Sequence, residues 1–253
     1  MKLKRILTIA GSDSGGGAGI QADLKTITAL GGFGMSVITA LTAQNTLGVH
    51  GIHEVPIEFV EKQFDVVATD IGIDAAKTGM LSNSEIIRSV AGKVRHYKVE
   101  NLVVDPVMVA KGGARLIHGE AKDTLIHELL PLAFVVTPNI PEAEELTGMK
   151  IESIADMRKA AEAIREMGAS NVFVKGGHLA GDAVDIFYDG EEFHEFRSER
   201  IETTDTHGTG CTISSAIATG RGQGMAGKEA VRRAKDYITM AIRFSLRIGG
   251  GHG

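Results

Sequence analysis

An α/β fold, with a mostly parallel central sheet and helices on both faces, is predicted by three features of this 253-residue chain. Short apolar runs alternate with longer amphipathic segments. Each run is closed by Gly, Pro or a polar residue, and the residues able to do chemistry stand just after the runs. Runs that are apolar throughout suit strands buried on both faces, and strand–helix alternation suits right-handed βαβ units. No Pro/Ser-rich linker, charge block or internal repeat divides the sequence, so residues 1–253 are read as one domain.

The elements follow in order. A first strand is expected over Ile6–Ala10, then a helix on which Ile20, Leu24, Ile27 and Leu30 recur at helical spacing. Met35–Leu41 and Ala75–Lys77 are the next strands, and Ile86, Ile87, Val90 and Val94 mark a second helix. Leu102–Asp105, Phe134–Thr137 and Val172–Lys175 continue the sheet, with a helix through Ala160, Ala161, Ile164 and Met167 before the last of them. Near 186–196 the pattern changes. Ile186–Tyr188 and Phe193–Phe196 flank Asp189-Gly190, which predicts an antiparallel hairpin at a sheet edge. Two helices close the chain at roughly 208–223 and 227–247, and the glycine tail 249–253 is expected to fray.

Composition removes several function classes. Aromatic residues make up 5% of the chain, with no Trp, which does not suit a stacking platform for single-stranded nucleic acid. The net charge of −5 comes from interspersed acids and bases without a basic stripe, so no nucleic-acid partner is expected. A polyanionic ligand would then be held by local features rather than by the global field. The apolar run after Met1–Arg5 is too short for a signal peptide or a membrane span, and one cysteine allows no internal disulfide. The expected location is the cytoplasm, with no membrane partner.

Ligands of such sheets bind beyond the carboxyl ends of the strands, and five motifs stand there. Gly11–Gly19 is a glycine-rich turn between the first strand and first helix. Within it, Gly17–Ala22 fits the dinucleotide fingerprint GxGxxA, but no acid closes the second strand to hold a ribose, and no Gly-Lys-Ser/Thr follows. A substrate-cradling loop, with Asp23 early in the next helix, is the better reading over a plain turn. Thr204–Thr212 holds small residues directly before an apolar helix, an arrangement that aims unpaired backbone N–H groups and the helix dipole at an anion. An ordinary N-cap is the plainer alternative. Cys211 there could have its thiol pKa lowered by the helix start.

Asn139-Ile140-Pro141-Glu142 puts an acid in a first helical turn, where acids are stabilising anyway. Asp105-Pro106-Val107-Met108 ends a strand with a carboxylate. Asp105 and Glu142 close successive strand candidates, so both could approach one magnesium ion carrying a triphosphate. Lys175-Gly176-Gly177-His178 offers a mobile positive charge for phosphate, or simply a solvated lysine. The nine histidines show no metal-ligand pattern, and no zinc is expected.

The glycine-rich opening, Asn139–Glu142 and the Gly208–Cys211 turn together resemble the ribokinase-like superfamily. The match narrows over Ala10–Asp23, Thr39–Thr46, Lys77–Leu81, Asp105–Met108 and Thr206–Thr212, which resemble the hydroxymethylpyrimidine/phosphomethylpyrimidine kinases of thiamine biosynthesis, in order along nearly the whole chain. That resemblance implies a ribokinase-like fold, ATP and Mg2+ as cofactors, and a homodimer. It also implies two successive phosphorylations of 4-amino-5-hydroxymethyl-2-methylpyrimidine, first to the monophosphate and then to the diphosphate. Carried over by position, Gln44 would read the aminopyrimidine edge, with Gly11, Ala18, Asp23, Met80 and Val107 forming its pocket. Asn139, Glu142, Lys175 and Thr206 would serve the nucleotide, and Asp105 with Glu142 the metal. Gly208, Thr209, Gly210 and Cys211 would form the anion hole. Much of the superfamily has Asp where Cys211 stands, so the base role is the weakest part of the carry-over. A thiol must first ionise, whereas dissociative phosphoryl transfer asks little of a base.

Three rivals are kept. Pyridoxal kinase of the same superfamily acts on a similar flat ring, but Gln44 can both donate to and accept from an aminopyrimidine edge. A nicotinamide-dependent oxidoreductase would need the missing ribose acid. A cysteine hydrolase built on Cys211 and His207 would need a nucleophile–base pair that a helix beginning at Gly208 places poorly.

Overall fold

The computed structural model describes residues 3–108, 120–177, 179 and 181–253. The chain opens with β1 (Lys4–Asp13), α1 (Gly19–Ala29), β2 (Gly32–Asn45), β3 (Gly48–Glu54), α2 (Ile57–Asp70), β4 (Ala75–Thr78), α3 (Ser84–His96) and β5 (Leu102–Val104). A short helical stretch follows, α4 (Ala121–Thr124), running on through a π turn and a 3-10 turn to Leu132. Then come β6 (Val135–Val136), α5 (Ile140–Thr147), α6 (Ile154–Glu166), β7 (Asn171–Val174), β8 (Ala183–Tyr188), β9 (Phe193–Ser198), α7 (Thr209–Gly222) and α8 (Gly227–Arg243).

Among the described residues these strands form one nine-stranded sheet in the order β3-β2-β1-β4-β5-β6-β7-β8-β9. The pairs from β2 through β7 are parallel, and the pairs β2–β3, β7–β8 and β8–β9 are antiparallel. Alternation along the strands explains why both faces are covered. Leu7, Ala76, Val104, Val136 and Val172 enter a core shared with α2, α3, α5 and α6. Their neighbours Ile6, Ala75, Val103, Val135 and Phe173 enter a second core with α1, α7 and α8. Residues two further along the second face are Thr8, Lys77, Asp105, Thr137 and Lys175, so polar chemistry takes over from apolar packing as the strands end.

The predicted edge hairpin is present as β8–β9. A second hairpin, β2–β3, was not foreseen: β2 runs past Leu41 to Asn45 and turns back. Nearly all of β3 faces solvent, so it carries no apolar pattern to read. The closing helix ends at Arg243 rather than 247. The tail is not frayed. The Gly251 amide donates to Thr46 Oγ1 at 3.2 Å, the His252 amide to the Thr46 carbonyl at 3.0 Å, and the His252 carbonyl accepts from the His207 amide at 3.3 Å.

Candidate active site

A cavity of about 820 Å³ lies over the carboxyl ends of the strands. Gly11, Ala18, Gln44, Met80, Val107, Asp105, Asn139, Glu142, Lys175, Thr206 and the turn Gly208–Cys211 all line it. Residues from seven separate sequence motifs therefore share one space.

The floor is the start of α7. Gly208 is its N-cap, with φ 76° and no side-chain cap. A Cβ there would overlap the Gly17 carbonyl oxygen, so only glycine lets the two loops touch. The Thr209 amide and hydroxyl both turn back to the Thr206 carbonyl, at 3.4 and 3.0 Å. The amides of Gly210 and Cys211 have no protein acceptor among the described residues. They stand at the cavity-lining, positive end of a 14-residue helix, an arrangement able to hold an anion.

Beside this turn stands a charged cluster. Lys175 Nζ donates to Asp105 Oδ1 at 3.0 Å, and Thr137 Oγ1 donates to the same oxygen at 3.1 Å. Burial pushes the Asp105 carboxyl up, but Lys175 and Lys77 more than offset it and hold it below the ordinary value. Burial lowers the Lys175 ammonium, and Asp105 with Glu142 raises it beyond that loss, so it stays charged. Asn139 caps α5 by accepting from the Glu142 amide at 2.9 Å, while Glu142 Oε2 accepts from the Asn139 amide at 2.8 Å. This capping box was legible as an acid in a first helical turn, and it also fixes where that acid points. Burial, reinforced by nearby Asp105 and only partly countered by Lys175, pushes the Glu142 carboxyl up to about 7. A buried carboxylate so poorly compensated is a place where a cation is welcome.

Asp23 is corrected. It does not line the cavity and is fully enclosed, on the sheet-facing side of α1. Lys77 Nζ donates to both its oxygens at 3.0 Å, Thr8 Oγ1 at 2.6 Å and Ser215 Oγ at 2.6 Å. It ties α1, β1, β4 and α7 together from below. The expectation of a lowered Cys211 thiol is corrected too. Burial pushes it up to about 11, and Asp23 and Asp105 add to that, against opposing help from Lys77 and the Gly19 amide. Desolvation outweighs the helix start, and the residue is a thiol at neutral pH.

Sequence reasoning gave no role to two further pairs. Asp185 accepts from the Gly176 amide at 2.8 Å and from Lys235 Nζ at 2.7 Å, both side chains lining the cavity wall. Asp13 accepts from the amides of Gly15, Gly17 and Ala18 and from His207 Nε2 at 2.9 Å. Both Asp13 and His207 sat inside motifs already singled out, but nothing in their spacing linked positions 13 and 207. His178 lies outside the described residues.

Fold and site together define the class as a ribokinase-like small-molecule kinase. Residues 13–253 match the family model described as Phosphomethylpyrimidine kinase, and the chain belongs to that family. It is 49% identical to the hydroxymethylpyrimidine/phosphomethylpyrimidine kinase of Bacillus subtilis, over all of this chain and 94% of that protein. It is 59% identical to the thiamine biosynthesis bifunctional protein ThiED of Geobacter sulfurreducens, over 98% of this chain, which spans about half (51%) of that longer protein. Among solved structures, an ADP complex of Bacillus subtilis pyridoxal kinase superposes with a TM-score of 0.92 at 40% identity, covering 98% of this chain and 95% of that one.

Proposed function

We propose that this chain transfers the terminal phosphoryl group of ATP to the hydroxymethyl group of 4-amino-5-hydroxymethyl-2-methylpyrimidine, and then phosphorylates the monophosphate to the diphosphate, in thiamine biosynthesis. The observation that carries this reading is the pair of unpaired amides at Gly210 and Cys211, opening on the same cavity as Gln44. Phosphoryl transfer needs fixed donors around developing charge more than it needs covalent help.

In this reading Gln44 reads the ring edge, and Gly11, Ala18, Met80 and Val107 wall the pocket. The Gly208–Cys211 turn holds the group in flight. Lys175, kept charged and 14% exposed beside the turn, supplies a positive point charge to the same oxygens. Asn139 and Thr206 flank the nucleotide. Among the described residues no cluster of three metal-ligating side chains is found, but magnesium needs only one or two carboxylates when phosphates and water complete its shell. Glu142, and Asp105 beside it, fit that demand. When bound there, the ion would neutralise phosphate charge. Cys211 orients the substrate hydroxyl by contact rather than removing its proton, because its thiol stays protonated at neutral pH. Treatment of residues 1–253 as one kinase unit, a homodimeric state and a cytoplasmic setting complete the proposal; the continuous sheet and the single cysteine support the first and last.

The test is ATP consumption with the aminopyrimidine alcohol, its monophosphate and pyridoxal in parallel, with products identified by mass. Mono- and diphosphorylated pyrimidine at rates well above pyridoxal phosphate is the expected outcome. Pyridoxal as the preferred substrate would favour the second reading, a pyridoxal kinase, which the fold neighbour of that name keeps in play.

A further inference from the structure

Transfer in the proposed reaction depends on two segments that the chain keeps far apart. The glycine-rich loop Gly11–Gly19 lines the pocket with Gly11 and Ala18, and the turn Gly208–Cys211 carries the free amides. What holds one in register with the other is a question of side chains.

The loop keeps its own shape. Asp13, 3% exposed, turns its carboxylate back under the loop and accepts from the amides of Gly15 at 2.7 Å, Gly17 at 3.1 Å and Ala18 at 2.9 Å. Gln21 Oε1 accepts from the Asp13 amide at 2.9 Å, and Lys25 Nζ donates to the Gly16 carbonyl at 2.8 Å. Ser14 Oγ bonds both the amide and the carbonyl of Gln44, each at 2.8 Å. None of these bonds involves the turn.

The turn is less well tied. Gly208 has no side-chain cap, and Thr209 bonds back only to Thr206. Across to the loop, the Gly19 amide gives the Cys211 thiol a weak bond, because sulfur is a poor acceptor. The stronger link is His207, whose Nε2 lies 2.9 Å from Asp13 Oδ2, 194 positions away along the chain. Burial pushes the Asp13 carboxyl up, but His207 and the Gly15 and Ala18 amides more than offset it. A carboxylate therefore faces the ring, and the shared proton sits on Nε2. Packing leaves the ring little room, since a Cβ on Gly17 would approach His207 Cδ2 to 2.6 Å. The His207 amide donates to the His252 carbonyl at 3.3 Å, and the next residue, Gly208, presses on the Gly17 carbonyl.

We propose that His207 is a positioning residue: its bond to Asp13 sets the turn Gly208–Cys211 in register with the glycine-rich loop, and so governs the transfer step rather than the binding of either substrate. This rests on the kinase reading above and deepens it, because it names what keeps the acceptor hydroxyl in line with the group in flight. A displacement of about 1 Å between such partners can cost about 10²-fold in rate. The bracing of the loop makes the effect one-sided. Losing His207 shifts the turn and leaves the pocket, whereas losing Asp13 undoes the loop itself.

One methylene decides the matter. Glutamine at 207 places its amide nitrogen where Nε2 stands, whereas asparagine stops at the level of Nδ1 and falls short of Asp13. Values of kcat and KM for the aminopyrimidine alcohol and ATP are compared in wild type, His207→Gln, His207→Asn and Asp13→Ala. His207→Asn is expected to lose at least about tenfold in kcat with both KM values within about threefold of wild type. His207→Gln is expected to keep kcat within about threefold of wild type, and Asp13→Ala to raise the pyrimidine KM at least about tenfold besides lowering kcat. Wild-type kcat in His207→Asn, equal losses in the asparagine and glutamine variants, or a loss confined to the pyrimidine KM would overturn the proposal. A wild type that phosphorylates pyridoxal but neither pyrimidine would instead remove the substrate assigned above. The same two variants at 207, compared on pyridoxal, would then decide the proposal by themselves.

Discussion

Two lysine–aspartate pairs lie around the thiol of Cys211, and they differ in what surrounds them. Lys77 and Asp23 have no solvent exposure on either side chain, with Thr8 and Ser215 completing the shell of Asp23. Lys175 and Asp105 meet at the same 3.0 Å, but Lys175 is 14% exposed and faces the cavity. The sealed pair joins four elements and has nowhere to move. The cavity pair stands where a nucleotide phosphate and a cation would compete for its charges. Similar pairs thus differ in place: one ties the start of α7 to the sheet, and in the proposed reaction the other would act in front of it.

The largest effect should come from breaking the sealed pair. Lys77→Met leaves Asp23 charged and enclosed, and a loss of roughly 3–5 kcal/mol in unfolding free energy is expected in denaturant titrations. Adding Asp23→Leu should recover most of that loss, because a neutral replacement of the whole pair removes the uncompensated charge. A single variant as stable as wild type would erase the contrast. Lys175→Met should do the reverse. Turnover should fall by about 10²-fold or more, while stability falls by less than about 2 kcal/mol, because Lys77 and the Thr137 hydroxyl still compensate Asp105. Steady-state rates and melting curves on the same preparations check both halves.

Cys211→Ala sharpens the comparison at its centre. A thiol near 11 is not a working base at neutral pH, so a drop in kcat of about tenfold is expected, with pyrimidine binding retained. A drop beyond about 10³-fold would restore the base role. The smallest effect belongs to Glu142. Its folded value of about 7 lies above the ordinary 4.5, so the folded chain keeps a proton that the unfolded chain releases. Its contribution to stability is full below about 4.5 and is lost as pH rises through about 7. Magnesium with nucleotide should therefore raise the melting temperature more at pH 8 than at pH 6, by about 2–4 °C, and Glu142→Gln should flatten that difference.

Much of this arrangement could be read along the chain. Parallel strands buried on both faces announce themselves as short apolar runs, so the residues after them, Asp105, Asn139 and Lys175, were found at the strand ends. The glycines before α7 pointed to its unpaired amides. Three things were hidden for physical reasons. The edge strand β3 packs on little, so no hydrophobic alternation records it. Asp23 looked like a pocket residue because it follows a glycine-rich loop, but its partner Lys77 sits 54 positions away inside an apolar strand, where nothing in the spacing links the two. The thiol of Cys211 depended on a contest between helix start and desolvation, and burial is a property of the folded chain.

The claim that the start of α7 grips the transferred group is tested most directly at Gly210. A Cβ there would stand 3.4 Å from Lys175 Nζ and 3.6 Å from Asp105 Oδ2, ordinary contacts that the fold tolerates but that fill the space above the free amides. Gly210→Ala is expected to melt within about 2 °C of wild type and to lose at least about 100-fold in kcat. Wild-type turnover from a folded Gly210→Ala protein would contradict the account.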